Sequence, residues 1–337
     1  MVDIFEKNIL ISVITPIYNE ENYIAKCIES LLRQDYGING VEYIFVDGMS
    51  TDRTINLIED FQQEYPETIK LLINQNKTVP YAMNIGIKAA AGEYIIRVDA
   101  HAEYPDNYIS KCIQYLKNTD ADNVGGIAET KSIGFVGNAI AQMLSSKFGV
   151  GNSGFRTYAK SGYVDTVPFG AFKKEVFEKY GFYDERLTRN QDNELNYRIK
   201  KNGGKIYLAN DIKFSYYCRD SIKGIVDMAV KNGKWNIITM KLCPGSMGLR
   251  HFVPFIFLLT LLILPILSLV SIFFLRLLFI ELTIYLLLAL LFSIKDSKNV
   301  KYIPIIFVLF PLFHISYGFG SLCGIFNLSK YNITTNS

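Results

Sequence analysis

Cysteine and histidine are scarce in this 337-residue chain, with five of the first and three of the second. The cysteines, Cys27, Cys112, Cys218, Cys243 and Cys323, are odd in number and far apart, which excludes a disulfide framework or a metal cluster and leaves them as reduced thiols. An excess of charge of one sign is missing too. The 35 basic residues face 32 acidic ones, and a net charge of +3 is too small for a nucleic-acid surface that must neutralise many phosphates. The first apolar run, residues 9–17, is short and broken by Ser12 and Thr15, so it lacks the core of a signal peptide. The body of the chain is expected to stay on the side of the membrane where it is made.

What the sequence does have is alternation. Short apolar strands at 10–15, 41–46, 69–73 and 94–98 are separated by amphipathic helices, the pattern of a parallel sheet covered on both faces. After Asn19, the residues Ile24, Cys27, Ile28, Leu31 and Leu32 recur at helical spacing; after Ser50, Ile55, Ile58 and Phe61 do the same. A third helix starts near Pro80 and is expected to end at Gly92. Right-handed crossovers bring strand ends to one edge, so Thr15, Tyr18, Asp47 and Asp99 are expected along a common crevice, where ligands bind in open sheets of this kind.

From Asp120 to about Ile212 the pattern is less regular, rich in glycine and aromatics, and suited to closing the crevice around a second substrate. Residues 221–250 form a basic amphipathic segment with Lys223, Lys231, Lys234, Lys241 and Arg250 beside Trp235, able to lie on a membrane surface. Three apolar runs follow near 252–275, 277–294 and 303–324, each long enough for a hydrocarbon layer of roughly 30 Å. A buried hairpin of a soluble protein would show a polar stripe, and none breaks these runs. Arg276 marks the turn between the first two runs. Lys295, Lys298 and Lys301 place the next loop inside, together with the basic segment, so three spans would leave the tail outside.

Three clusters carry chemistry. In Arg97-Val98-Asp99-Ala100-His101, extended geometry turns Asp99 and His101 to one side, within reach of a divalent cation that would neutralise a departing diphosphate. In Thr188-Arg189-Asn190-Gln191-Asp192, a capping box from Thr188 to Gln191 would set Asp192 in the first turn of a helix, ionised and able to accept a proton. Its bland alternative is a first-turn acid with no chemistry, and Glu194 with Arg198 reads as a helix ion pair. In Val46-Asp47-Gly48-Met49-Ser50-Thr51-Asp52, Asp47 suits a nucleobase N–H, Tyr18 suits the base face, and Ser50 or Thr51 suits a helix cap. Neither turn has the Gly-x-Gly-x-x-Gly spacing of a dinucleotide fold.

Taken in order, Thr15-Pro16-Ile17-Tyr18-Asn19-Glu20, the Asp47 turn, Asn84-Ile85-Gly86, Ala91-Gly92-Glu93-Tyr94 and Gln191-Asp192-Asn193-Glu194-Leu195 resemble family 2 of the glycosyltransferases. The Arg97 to His101 motif and the terminal apolar runs look most like succinoglycan-type bacterial exopolysaccharide enzymes. The resemblance implies an α/β fold: a GT-A-type, Rossmann-like nucleotide-sugar-binding domain followed by C-terminal transmembrane helices. The corresponding division is 1–220 catalytic, 221–250 juxtamembrane, 251–326 membrane and 327–337 tail. It implies donor binding by Thr15, Tyr18, Glu20, Asp47 and Asp99, a Mg2+ or Mn2+ ion on Asp99 and His101, and Asp192 as the catalytic base. The family usually has Asp-x-Asp where this chain has Asp99-Ala100-His101, and Glu-Asp where it has Gln191-Asp192.

The expected enzyme is an inverting transferase that moves sugar from a nucleotide diphosphate sugar, a UDP-sugar by preference, to a lipid-linked saccharide. It would be a multi-pass protein of the inner or plasma membrane with its catalytic domain in the cytoplasm. Two rivals are a processive polysaccharide synthase and a non-catalytic nucleotide-sugar-binding scaffold. Lys231-Asn232-Gly233-Lys234-Trp235 only loosely matches the Gln-x-x-Arg-Trp of processive synthases, and a scaffold needs neither a metal ligand nor a base.

Overall fold

Strands rich in isoleucine, valine and aromatics form the sheet, because such residues fill a pleated surface buried on both faces. The computed structural model describes residues 10–37, 40–157 and 159–331. In chain order the strands are β1 (Ile11–Ile17), β2 (Val41–Asp47), β3 (Ile69–Ile73), β4 (Tyr94–Arg97), β5 (Ala102–Glu103), β6 (Asn123–Lys131), β7 (Gly162–Tyr163), β8 (Ala171–Lys173) and β9 (Ile206–Tyr217). The helices are α1 (Ile24–Leu32), α2 (Thr54–Glu64), α3 (Val79–Ala89), α4 (Tyr108–Asn118), α5 (Gly134–Ser145), α6 (Lys147–Val150), α7 (Glu175–Tyr180), α8 (Gln191–Lys201), α9 (Ile222–Leu242), α10 (Val253–Leu267), α11 (Ile272–Asp296) and α12 (Ile303–Phe326). The chain divides into two compact units. One holds the chain up to Glu129 and the stretch ending at Tyr216; the other holds Thr130–Thr157 and the chain from Tyr217.

In the first unit the strand order is β3-β2-β1-β4-β8-β6-β9-β5, with β7 paired to β9. The strands β1, β2, β3 and β4 run parallel, and β8 joins β4 antiparallel. The carboxyl ends of the parallel strands therefore share one edge. β1 runs two residues past its expected end, to Ile17, because Pro16 and Ile17 still pair with Val46 and Asp47 of β2. On its other side β1 pairs with β4 only as far as Ile14 and Arg97, and Pro16, which has no N–H, sits where that ladder has ended. The β4 strand ends one residue early, at Arg97.

The periodic residues of the first helix, Ile24, Cys27, Ile28 and Leu31, are all buried. α3 begins with Pro80 in its first turn but ends at Ala89, so Gly92 does not terminate it. Gly92 is a close approach instead: a Cβ there would come within 2.7 Å of the Ile11–Ser12 backbone, and its N–H donates to Ser12 Oγ at 2.9 Å.

The second unit contains helices at Leu249–Leu267, Ile272–Asp296 and Val300–Phe326 that are long and apolar enough to cross a membrane. The break between the first two lies at 268–271, and Arg276 is inside α11 rather than at a turn. Hydropathy conceals this break because Leu269 and Val270 are apolar. The serines make it: Ser268 Oγ donates to Pro265 O at 2.6 Å, and Ser271 Oγ accepts from Phe273 N to start α11. Residues 130–157 join this unit, and α9 packs along α12. Of the expected tail, residues 332–337 lie outside the described residues.

Candidate active site

Parallel strands deliver their following loops to the carboxyl edge, and hydrogen bonds knit the first two loops into one piece. Asn19 N donates to Ser50 Oγ at 2.9 Å, and Thr51 N donates back to Asn19 Oδ1 at 2.8 Å. Glu20 N donates to Thr54 Oγ1 at 2.8 Å, Arg53 N to Glu21 Oε2 at 3.1 Å, and Gly48 N to Ile17 O at 2.8 Å. Asp47, fully buried at the end of β2, accepts from Ser50 N at 2.9 Å and from Ser50 Oγ at 2.5 Å. Ser50 therefore shapes the loop and does not cap the helix. The side chain at the start of α2 is Asp52, which accepts from Thr54 N at 3.0 Å. Beside Asp47, Tyr18 projects as an exposed ring, while Thr15 is buried within β1.

Backbone strain collects on this same edge. Among the described residues, the non-glycine positions with positive φ are Asn19, Met49 and Lys77, after β1, β2 and β3, and Phe169 and Asn190, ahead of β8 and α8. Left-handed conformations of this kind are unfavourable for a side chain and cluster where function needs an unusual backbone.

Arg97 ties the remaining groups together. It is buried at the end of β4, with its guanidinium 5.3 Å from the centre of the Phe169 ring. Nη1 pairs closely with Asp192 Oδ1, and Nη2 lies 3.3 Å from Asp99 Oδ1. Burial opposes the charge on Arg97, but Asp192 and Asp99 outweigh it and hold the guanidinium protonated. For Asp192 the balance runs the other way: burial raises its pKa, Arg97 lowers it, Asp99 raises it, and the net shift is upward. A carboxylate raised in this way is a better proton acceptor at neutral pH than an ordinary one.

Asp192 lies in the first turn of α8, as its spacing predicts, though Thr188 does not cap the helix. The N-cap is Asn190, left-handed and without a side-chain capping bond. The Glu194–Arg198 ion pair forms at 2.7 Å, and Arg198 Nη2 also donates to Phe182 O. Asn84 explains its own motif: its amide donates to Tyr183 O at 2.9 Å and its Oδ1 accepts from Tyr183 N, tying α3 to the segment that leads into α8.

His101 sits 4.0 Å from Asp99 Oδ2 through Nε2, with Nε2 also 3.1 Å from Tyr216 Oη and Nδ1 3.0 Å from Glu20 Oε1. Burial works against charge on the ring, yet Tyr216, Glu20 and Asp99 push its pKa up to about 10. As placed, both ring nitrogens of His101 are engaged, Nδ1 with Glu20 and Nε2 with Tyr216 and Asp99. Among the described residues no group of three or more His, Cys, Asp or Glu is placed to hold a metal. Asp99 alone fits the habit of Mg2+, which takes one or two protein carboxylates and completes its shell with substrate phosphates and water. Sequence reasoning passed over Arg97, Phe169 and Tyr216. The signal for Arg97 was present, as a charge closing an otherwise apolar strand.

Comparison with known proteins agrees with this architecture. The Glycosyl transferase family 2 model matches residues 12–181. Dolichyl N-acetyl-alpha-D-glucosaminyl phosphate 3-beta-D-2,3-diacetamido-2,3-dideoxy-beta-D-glucuronosyltransferase of Methanococcus voltae is 33% identical over 259 residues, covering 74% of this chain and 79% of its own. Succinoglycan biosynthesis protein ExoA of Rhizobium meliloti is 31% identical over 209 residues, covering 61% of this chain and 63% of its own. In fold, the chain is similar to the mannosyltransferase PcManGT of Pyrobaculum calidifontis, solved with GDP-Man and Mn2+, with a TM-score of 0.61 at 14% identity over 94% of this chain and 87% of that one. The family match over half of the sequence and the long alignment to the M. voltae enzyme lead to one conclusion: this chain belongs to glycosyltransferase family 2 and is a glycosyltransferase of GT-A fold.

Proposed function

We propose that the chain is a membrane-bound, inverting transferase that takes one sugar from a nucleotide diphosphate donor, a UDP-sugar, and adds it to a lipid-linked saccharide on the cytoplasmic face. The observation that carries this reading is the pair of carboxylates, Asp99 and Asp192, held by one buried guanidinium. Inversion needs two functions on opposite sides of the anomeric carbon, and two separately placed carboxylates supply them. Asp192 accepts the proton of the acceptor hydroxyl as its oxygen bonds to the anomeric carbon. The bond from that carbon to the diphosphate oxygen breaks, and the diphosphate leaves with the electron pair. Asp99 would hold the Mg2+ or Mn2+ ion that neutralises the diphosphate when bound. Tyr18 receives the nucleobase at the edge of the knitted loops, and the buried Asp47 holds that edge in shape through Ser50.

A lipid-linked acceptor is supported by the helices able to cross a membrane and by the M. voltae relative, whose name specifies a dolichyl phosphate-linked sugar. The ExoA relative supports a place in exopolysaccharide or other cell-surface glycan synthesis. The test is transfer from a panel of labelled nucleotide sugars to a polyprenyl-linked monosaccharide by the purified full chain. One added sugar with inverted anomeric configuration is expected. A retained configuration, or transfer to water-soluble saccharides alone, would refute the proposal.

A further inference from the structure

Of the helices able to cross a bilayer, two are nearly bare and one is not. Protein buries 6% of the most apolar window in Leu249–Leu267 and 11% of that in Ile272–Asp296, but 44% of that in Val300–Phe326. The third helix, α12, is covered on two sides by α9 and α5 and on a third by the start of α10, where a Cβ on Gly318 would come within 2.5 Å of Pro254 O. α9 runs along one of them in close register: a Cβ on Gly233 would come within 1.9 Å of Tyr317 O, one on Gly320 within 2.1 Å of Val230 O, and one on Gly324 within 2.7 Å of Lys234 O. Further on, Lys241 Nζ donates to Leu328 O at 2.8 Å. The partners advance together from Val230 to Lys241 and from Gly320 to Leu328, so the two helices are parallel. On the second side, Ala139, Ile140, Met143 and Leu144 of α5 share a buried cluster with Ile306, Leu309, Phe310 and Phe313 of α12.

The outer face of α9 decides where this group can lie. Lys223, Asp227 and Lys231 are exposed there and Lys234 is half-exposed. Carrying α12 across a bilayer would carry α9 with it and place those charges at hydrocarbon depth, which is strongly unfavourable without partners. In the plane of the interface the same lysines reach headgroups and water while the apolar face stays covered.

α10 and α11 are different. They form an antiparallel hairpin whose inner face is joined by Thr260 Oγ1 donating to Glu281 Oε1 at 2.5 Å and by Phe257 stacked on Tyr285 with ring centres 4.4 Å apart. Their outer faces are apolar and open. The tip is apolar as well, with Leu269 86% and Val270 85% exposed. The first arm, four residues of 3-10 helix at about 2.0 Å per residue followed by the 15 residues of α10 at about 1.5 Å, is about 30 Å long, and the 25 residues of α11 are about 37 Å long, enough for a hydrocarbon core of about 30 Å. Arg276, just over one turn into α11, is within reach of headgroups at the far surface.

The geometry points to a chain that crosses the bilayer twice, through α10 and α11, with α12 lying beside α9 in the interface on the side of entry. This rests on the membrane-bound reading above and replaces the three spans and external tail expected from hydropathy. The end of the chain then lies on the same side as the loop at Ser297.

The experiment uses the full chain in cells. A reporter that is active only outside and one that is fluorescent only inside are each fused after Ser337. In parallel, Leu269→Cys and Val270→Cys, each in a background lacking the native cysteines, are treated with an impermeant thiol reagent. We expect the fusions to read as internal and at least one tip cysteine to label in intact cells. An external reading after Ser337 would restore three spans and overturn the proposal. Protection of both tip cysteines in intact cells, with labelling after permeabilisation, would overturn it in the other direction, because the hairpin would dip without crossing. Recovery of the wild-type chain in the soluble fraction after an alkaline wash would instead defeat the membrane-bound reading itself, a result separable from either topology.

Discussion

Arg97→Gln tests the site most directly, because one guanidinium positions both carboxylates. Removing one partner from a buried charge pair costs about 3–5 kcal/mol, since the other charge is left uncompensated. The lower end applies here, because 24% of the Asp192 side chain still meets solvent. A loss of about 3 kcal/mol leaves a domain of ordinary stability folded but more easily melted. The catalytic effect is larger. Freed from Nη1, the Asp192 carboxylate can move by about 1 Å, and a misplacement of that size costs roughly 10²-fold in rate. The pH profile supplies a sign. A base acts only when ionised, so transfer falls as pH drops through the Asp192 pKa, which the fold has already raised. Arg97 opposes that rise, and its removal moves the acid limb to higher pH. Arg97→Lys keeps a charge without the fork and should recover part of both effects. Initial rates of labelled sugar transfer from pH 5 to pH 9, compared for the wild type and both variants, give the answer. A glutamine variant within threefold of wild type, with an unmoved acid limb, would refute the role assigned to Arg97.

Asp192→Asn should lower transfer by roughly 10²-fold or more while leaving donor affinity nearly unchanged, and near wild-type turnover would remove it as the base. Asp99→Ala should weaken donor binding and abolish the response to Mg2+ or Mn2+; undiminished wild-type activity in chelator would sink the metal reading. His101→Ala should weaken donor binding less than Asp99→Ala, by disturbing Glu20 and Tyr216, and an equal or larger loss would make the imidazole a ligand after all. Gly233→Ala should force α9 away from Tyr317 O and lower the melting temperature of the detergent-solubilised chain by an overpacking cost of about 1–3 kcal/mol; an unchanged melting temperature would show that the contact yields freely.

The parallel core was legible because its strands are continuous apolar runs: β3 falls at the expected residues, and β1 and β2 differ only at their ends. Strand ends are set by the partner strand, which periodicity does not contain, and so the pairing of Ile17 with Asp47 was invisible. Asp99 and Asp192 were legible as separate carboxylates. Their common partner was not, since the Arg97 to Asp192 bond spans 95 positions. Glu20 was read as a donor contact, and its pairing with a histidine 81 positions away was not legible. In the second unit hydropathy located the three helices able to cross a membrane but missed α5 and the serine break at 268–271, because it records composition rather than packing or capping. It missed the cover on α12 for a related reason: the glycines that admit α9 are nearly neutral on any hydropathy scale.

The stitching between the loops after β1 and β2 has a consequence for anyone who wishes to change the donor. Asn19, Glu20 and Glu21 on one loop are matched to Ser50, Thr51, Asp52, Arg53 and Thr54 on the other. A loop transplanted alone from a relative with a different nucleotide would meet a neighbour cut for another pattern and would leave amide groups without acceptors. The unit of exchange is the pair of loops, and swapping residues 18–21 together with 48–54 is the smallest graft that keeps the seam closed.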